Sequence, residues 1–380
     1  MKILMVLTYY YPHWTGLTAH AQQLAEGLVK RGHRVTVLTA QHQRSLPRRD
    51  QHNGVDIVRL PTVGRLSRGM LMPSFPWALW RLIREHDVVQ MHTPMLEVPL
   101  VAWLARRAGK SSLATHHGDL VMPAGAFDQF VEHTVTALMR QGFHWATAIT
   151  SYSRDYAENS LFLRPFLSKA TYIYPPIEIP APVPEQVETM RRELGLEGVP
   201  LVGFAGRFVE EKGFDYLLQA IPLIEERMPG TKFVYAGEHR VVYERFYERC
   251  RPLIERNMEH LVFLGLLTDR QRLANFYAMC DVFALPSRTD CLAIVQVESM
   301  LCGTPAVVSD IPGAREAVRR TGMGLLVRPC DPQALADGLL DVLSSPGKYR
   351  RTYDEIRSVF NTERTISQYE QLMQSLVRNG

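Results

Sequence analysis

Two carboxylates, Asp290 and Glu298, bracket a point where the chain changes character. The apolar run at 282–285 reads as a buried strand. Residues 286–292 read as a loop carrying Arg288 and Asp290. Beyond Ala293 the pattern is helical, with Val295, Val297, Met300 and Leu301 apolar, until Gly303 and Pro305 stop it. A helix N-terminus at the carboxyl edge of a parallel sheet offers backbone N–H groups and the positive end of the helix dipole, which suits an anion. Carboxylates beside it suit hydroxyls. A sugar nucleotide carries both.

A second loop of the same kind runs from Gly206 to Gly213. Arg207 supplies a planar fork and Lys212 a point charge, both suited to phosphate. The bland reading is a solvated loop in which Glu210 and Glu211 neutralise them. In the first half, Gly16 stands just before the first helix, where a missing side chain lets a phosphate or sugar approach the backbone, or where it serves only the turn. His116-His117-Gly118-Asp119 closes a strand-like run. A histidine there can face a ligand or only brace the loop from within.

These residues need strands to carry them. The first half offers strand-like runs at 3–7, 35–39, 56–60, 88–92, 112–115, 146–150 and 171–174. Ala21, Leu24, Ala25 and Leu28 place an amphipathic helix between the first two, ending near Gly32. After Pro175, Pro176, Pro180, Pro182 and Pro184 the alternation resumes at 201–205, 233–237, 261–264, 282–285, 306–309 and 325–327. Strands alternating with helices predict an α/β fold with parallel, doubly wound sheets. The expected organisation is a Rossmann-like domain at 1–175, a proline-rich linker at 176–198, a second Rossmann-like domain at 199–360 and a terminal helix at 361–380 that returns to the first domain.

The totals bound the answer. At 380 residues, 46% apolar and 22% charged, the chain has the make-up of a soluble globular protein with room for two cores. No secretory signal or membrane-length apolar run is read. The five cysteines all lie in the second half without C-x-x-C spacing, which predicts free thiols in a reducing cytoplasm. The histidines show no zinc spacing and no D-x-D occurs, so no metal site is expected. Residues 1–175 carry 19 Lys+Arg against 11 Asp+Glu, and the remainder 24 against 28. A basic first half suggests an anionic partner there, or only a drift of solvated faces. The stretch 64–84 adds Arg65, Arg68, Arg81 and Arg84 and two tryptophans, with no acid. It suits a membrane surface or a lipid carrier, and at least as well a core helix with a basic rim.

Taken together, the Gly16 loop, RGHRVTVLT at 31–39, HHGD at 116–119, GRFVEEKGFDYLLQA at 206–220 and the 290–305 block resemble the large retaining GT-B glycosyltransferase family of the E-x7-E type, group 1 or family 4, over nearly the whole chain. The resemblance implies two Rossmann-like domains facing across a cleft. It implies Arg207 and Lys212 as stabilisers of a departing diphosphate and Glu298 as the acid on the ribose hydroxyls. It places Asp290 and the backbone of Ala293, Ile294 and Val295 at sugar and phosphate, and His117 near sugar and acceptor. His117, Arg207, Lys212 and Asp290 are thus the expected catalytic residues. Gly16, Asp119, Gly206, Ala293, Ile294, Val295 and Glu298 are the expected substrate-binding residues. The sequence departs from the family in having Asp290 for the first Glu, Leu292-Ala293 for Phe-Gly and Thr15-Gly16 for Gly-Gly.

The implied function is metal-independent, retaining transfer of a sugar, without a cofactor, from a UDP- or GDP-linked donor. The acceptor is a sugar, lipid or metabolite, anionic or membrane-associated, and no nucleic acid is expected. The setting is cytoplasmic, at the inner face of the membrane if the acceptor is a lipid. An epimerase or sugar phosphorylase would use the same fold. A non-catalytic sugar-nucleotide-binding subunit is opposed by the joint presence of Arg207, Lys212 and Glu298.

Overall fold

The computed structural model describes residues 1–379 apart from 67–68, 123–124, 239–240 and 242–243. The chain forms two compact units, Met1–Pro176 with Thr362–Gly380, and Ile177–Asn361.

The first unit is built on an eight-stranded sheet. Its strands are β1 (Lys2–Val6), β2 (Arg34–Ala40), β3 (Arg49–His52) and β4 (Val55–Leu60); a hairpin, β5 (Gly64–Leu66) and β6 (Gly69–Leu71), stands apart; then β7 (Val88–Thr93), β8 (Ser111–His116), β9 (Ala148–Ser151) and β10 (Ala170–Tyr172) complete the sheet. The order is β10-β9-β8-β7-β1-β2-β4-β3, so the winding reverses between β1 and β7. Every residue of β7 and β8 is buried, which explains why both read as unbroken runs rather than alternation. Strand β3 pairs antiparallel with β4. It was not expected, because Arg-Asp-Gln-His at a sheet edge has no apolar period to reveal it.

Helix α1 (Gly16–Lys30) starts on a capping box between Thr15 and Thr18 and buries Ala21, Leu24, Ala25 and Leu28. The stretch 64–84 is the hairpin followed by α2 (Phe75–Glu85); Arg68 lies outside the described residues. Helix α2 buries Phe75, Leu79, Leu82 and Ile83. It therefore has the core face of the bland reading, but it turns Trp77 and Trp80 outward. It lies against α3 (Val98–Arg107), which exposes Trp103. The C-terminal helix Thr362–Asn379 lies in this unit, with Ile366, Tyr369 and Met373 in its core and Arg31 and His33 bound to Glu370.

The second unit has six parallel strands, β11 (Leu201–Ala205), β12 (Lys232–Ala236), β13 (Leu261–Gly265), β14 (Val282–Leu285), β15 (Ala306–Ser309) and β16 (Gly324–Val327). Their order is β13-β12-β11-β14-β15-β16. This is the doubly wound order whose crevice opens where β11 and β14 part, outside their carboxyl ends.

The expected linker at 176–198 is corrected by the structure. Residues from Ile177 belong to the second unit. Pro184 does not break a helix but starts one, Pro184–Glu193, since the first helical position needs no N–H donor. Arg357 holds Ile177 and Glu178 from within the same unit, and Asn275 binds Val183 and Gln186.

Candidate functional site

In the second unit the predicted residues gather at the β11/β14 crevice. After β11 the chain passes Gly206 at φ +147°, a backbone region open to glycine, and the Gly206 carbonyl accepts from the Tyr235 hydroxyl at 2.6 Å. A tight turn at Glu210–Lys212 then leads through Gly213 into the next helix, Phe214–Glu225. After β14 the loop carries Arg288 and Asp290 to the helix Ile294–Leu301. Arg288 fastens the two loops together. It donates to both Asp215 oxygens at 2.8 and 2.7 Å and to the Glu210 carbonyl at 2.7 Å, over the face of Tyr216.

Lys212 Nζ lies 2.6 Å from Asp290 Oδ2. Burial pushes the Lys212 ammonium down, but the Asp290 and Glu211 carboxylates outweigh it and hold the group above the ordinary lysine value. Arg207 is more exposed and donates to Glu211 at 3.3 Å. The helix Ile294–Leu301 begins behind Ala293 with no side-chain cap and no acid in its first turn, so its own first turn leaves its positive end uncompensated. One turn on, Glu298 is buried and aimed by two partners: Tyr277 donates to Oε2 at 2.9 Å and Arg270 to Oε1 at 2.9 Å. Each oxygen keeps a further lone pair. The unit thus presents an oriented carboxylate, an anion-seeking helix end and two cations along one sheet edge.

In the first unit, Gly16 is the exposed first residue of α1. The HHGD segment at 116–119 turns its side chains to different partners. Asp119 was expected to bind substrate, yet its carboxylate turns back on the fold. It accepts from His116 Nε2 at 2.9 Å and from the Ser160 hydroxyl at 2.7 and 2.9 Å. Burial pushes this carboxyl up, and the bonds from His116, Ser160 and Tyr156 outweigh it and hold it below the usual carboxylate range. Gly118 between them stands at φ +141°, a backbone region open to glycine, and Asp119 lies back against His116. His117 is likewise engaged, by His92 and Tyr152, and His20 of α1 stands beside it.

Arg288, Tyr277, Arg270, His92, His20 and Tyr152 are the site-forming residues that the sequence reading missed. Only Arg288 stood in a quoted motif, and its partner Asp215 is far away in sequence. The nitrogens of His20, His92 and His117 come within 4.8 Å of one another. They arrive from three elements, so no spacing rule could have grouped them.

Two Rossmann-like parallel-sheet units, one carrying this crevice, define a GT-B glycosyltransferase. The model of the group 1 glycosyl transferases matches residues 186–359, and that of the glycosyl transferase 4-like domain matches residues 15–175. The chain belongs to this family. It is 29% identical to a GDP-mannose-dependent alpha-(1-6)-phosphatidylinositol monomannoside mannosyltransferase of Mycolicibacterium smegmatis, over 90% of each chain. It is 28% identical to an uncharacterized glycosyltransferase of Methanocaldococcus jannaschii, over 91% of this chain and 90% of that one. Among solved structures, sucrose-phosphate synthase of Thermosynechococcus elongatus aligns over 100% of both chains with TM-score 0.80 at 21% identity. Anabaena HepE with UDP and glucose aligns over 99% of this chain and 100% of that one, with TM-score 0.80 at 20% identity. At these identities the likeness is one of fold.

Proposed function

We propose that this glycosyltransferase is a retaining, metal-independent enzyme that moves a hexose from a nucleotide-diphosphate donor held by the second unit to an acceptor held by the first. The observation that carries the reading is the Lys212–Asp290 pair at the uncapped helix end, with Glu298 oriented beside it. Glu298 would take the ribose hydroxyls on its remaining lone pairs. The diphosphate would draw Lys212 and Arg207, which stabilise the charge that grows as the glycosidic bond breaks. Lys212 turning to phosphate would release the Asp290 carboxyl group for the sugar hydroxyls. The diphosphate, on the face it leaves, would take the acceptor's proton.

A GDP-linked donor and a lipid acceptor are the specific form of this reading. Its support is the similarity to a GDP-mannose-dependent enzyme acting on a phosphatidylinositol mannoside, together with the exposed Trp77, Trp80, Arg81 and Arg84 of α2.

Calorimetry with GDP and UDP, paired with hydrolysis of GDP-mannose and UDP-glucose, tests it. Glu298→Ala should weaken nucleotide binding. Lys212→Ala or Arg207→Ala should each slow turnover on the order of a hundredfold. EDTA should leave the wild-type rate intact. Unchanged rates in both cation variants, or loss of activity on chelation with recovery on Mg²⁺ or Mn²⁺, would overturn the mechanism. Binding without any turnover would favour the non-catalytic subunit.

A further inference from the structure

His117 has neither ring nitrogen to itself. Its Nε2 lies 2.8 Å from His92 Nδ1, and its Nδ1 bonds the Tyr152 hydroxyl. The three come from the carboxyl edges of adjacent strands: His92 from β7, His117 just past β8 and Tyr152 just past β9. His20 of α1 closes the cluster, its ring edge-on to His117 with centroids 4.8 Å apart and stacked on Tyr152 at 5.5 Å.

The direction of each bond follows from what surrounds it. His92 Nε2 is buried and has no hydrogen-bond partner among the described residues. An orphaned buried N–H is rarer in proteins than an under-satisfied acceptor, so the His92 proton belongs on Nδ1. His92 then donates to His117 Nε2. His117 must carry its own proton on Nδ1 and donate it to Tyr152. Burial keeps the rings neutral: it pushes His92 down to about 3, and His20 and His117 also lie well below the ordinary histidine value. A neutral His117 with both nitrogens committed has no lone pair with which to take a proton.

We propose that His92 and Tyr152 are positioning residues for the transfer reaction, fixing the tautomer and ring plane of His117, so that His117 meets the acceptor as a clamped neutral surface and not as a general base. The proposal rests on the reading above that the first unit, which carries His117, holds the acceptor. It leaves the acceptor's proton to the diphosphate.

The test compares wild type with His92→Leu, His92→Asn and Tyr152→Phe. Asparagine keeps an N–H donor where Nδ1 stood; leucine does not. Hydrolysis of GDP-mannose and UDP-glucose gives kcat and KM, and long-range ¹H–¹⁵N spectra of histidine-labelled protein give the tautomer of His117. Wild type should show the Nδ1–H form of His117. His92→Leu should shift it toward a mixture. His92→Leu and Tyr152→Phe should lower kcat on the order of tenfold with KM unchanged, as for loss of a partner that orients a reacting group, and His92→Asn should recover most of the rate. Folded variants with wild-type kcat, or an Nε2–H form in wild type, would overturn the clamp. Stoichiometric zinc in the purified protein, lost on His20→Ala, would overturn it too, because a metal would replace the His92–His117 bond. A wild type that hydrolyses neither sugar nucleotide overturns the parent reading and the role in transfer with it. The expected tautomer in that protein would mark the failure as that of the reading and not of the clamp.

Discussion

Lys212 and Asp290 form a close ion pair, and the Asp290 and Glu211 carboxylates hold the Lys212 ammonium above the ordinary lysine value against its burial. Removing one leaves the other buried without its counter-charge, so an Ala variant confounds lost chemistry with a desolvated ion. Asp290→Asn is the cleaner probe of the sugar side. The histidines set a different dependence. His20, His42, His86, His92 and His117 all lie below the ordinary value, with burial the largest cause in each. An unfolded chain binds a proton on each near pH 6.5, while the folded chain takes it up only at lower pH, so stability is full above that value and falls as pH drops through it. For each fully shifted histidine the slope approaches about 1.4 kcal/mol per pH unit. The carboxylates Asp50, Asp119, Asp331, Asp341, Glu355 and Glu370 lie below their ordinary values and add their own loss only at lower pH. Melting temperature should therefore fall between about pH 7 and about pH 5. His92→Asn should flatten the curve. A wild-type melting temperature independent of pH across that window would mean the cluster is not buried and neutral.

At the scale of elements, the crevice depends on how closely two loops can approach. Gly213 sits at φ +66°, and a Cβ there would come within 2.0 Å of the Pro286 carbonyl oxygen. The backbone N–H of Arg288 donates to the Glu211 carbonyl at 2.8 Å. The start of the helix Phe214–Glu225 is thus pressed against the end of β14, and this contact holds Lys212 beside Asp290. Gly213→Ala should destabilise by about 1–3 kcal/mol from the left-handed backbone alone, with the clash in addition. It should also weaken GDP or UDP binding. Gly230→Ala is the control, since its φ is +83° but a Cβ there meets nothing within 4 Å. Denaturant unfolding and calorimetry on both variants decide it. Equal losses of stability, with nucleotide binding intact in Gly213→Ala, would show that the two loops do not need this contact.

At the scale of the whole molecule, no helix among the described residues is long and apolar enough to cross a membrane. With a lipid acceptor, the membrane contact we propose is a peripheral one. The face that offers it carries Trp77 and Trp80 on α2, Trp103 on α3, and the exposed Arg81, Arg84, Arg106 and Arg107. Aromatic rings at the headgroup level and cations toward anionic lipid are the ordinary ingredients of a peripheral contact. The protein should co-sediment with phosphatidylglycerol vesicles more than with phosphatidylcholine vesicles, and less at high salt because surface attraction is screened. Replacing Arg81 and Arg84 with Gln should reduce binding and leave hydrolysis of the sugar nucleotide unchanged. Equal, poor binding to both vesicle types would turn the acceptor toward a soluble sugar or metabolite.

The sequence by itself determined the strand–helix alternation, because a buried parallel strand is an apolar run and an amphipathic helix keeps its period. It determined β11, β14 and β15 to the residue, and it marked Arg207, Lys212, Asp290 and Glu298 because the loops that carry them join local elements in order. It did not determine what those side chains touch. The bonds from Tyr277 and Arg270 to Glu298, from Arg288 to Asp215 and from His92 to His117 join residues that the chain keeps apart and only the strand order brings together. It read the prolines at 176–182 as neither helix nor strand, as the structure has them, and missed only that Pro184 starts a helix, since proline forbids a helix interior but favours a helix start. Nor did it show the partners of Asp119: a carboxylate after a strand can reach outward or fold back, and only the tertiary structure brings Ser160 and His116 to it.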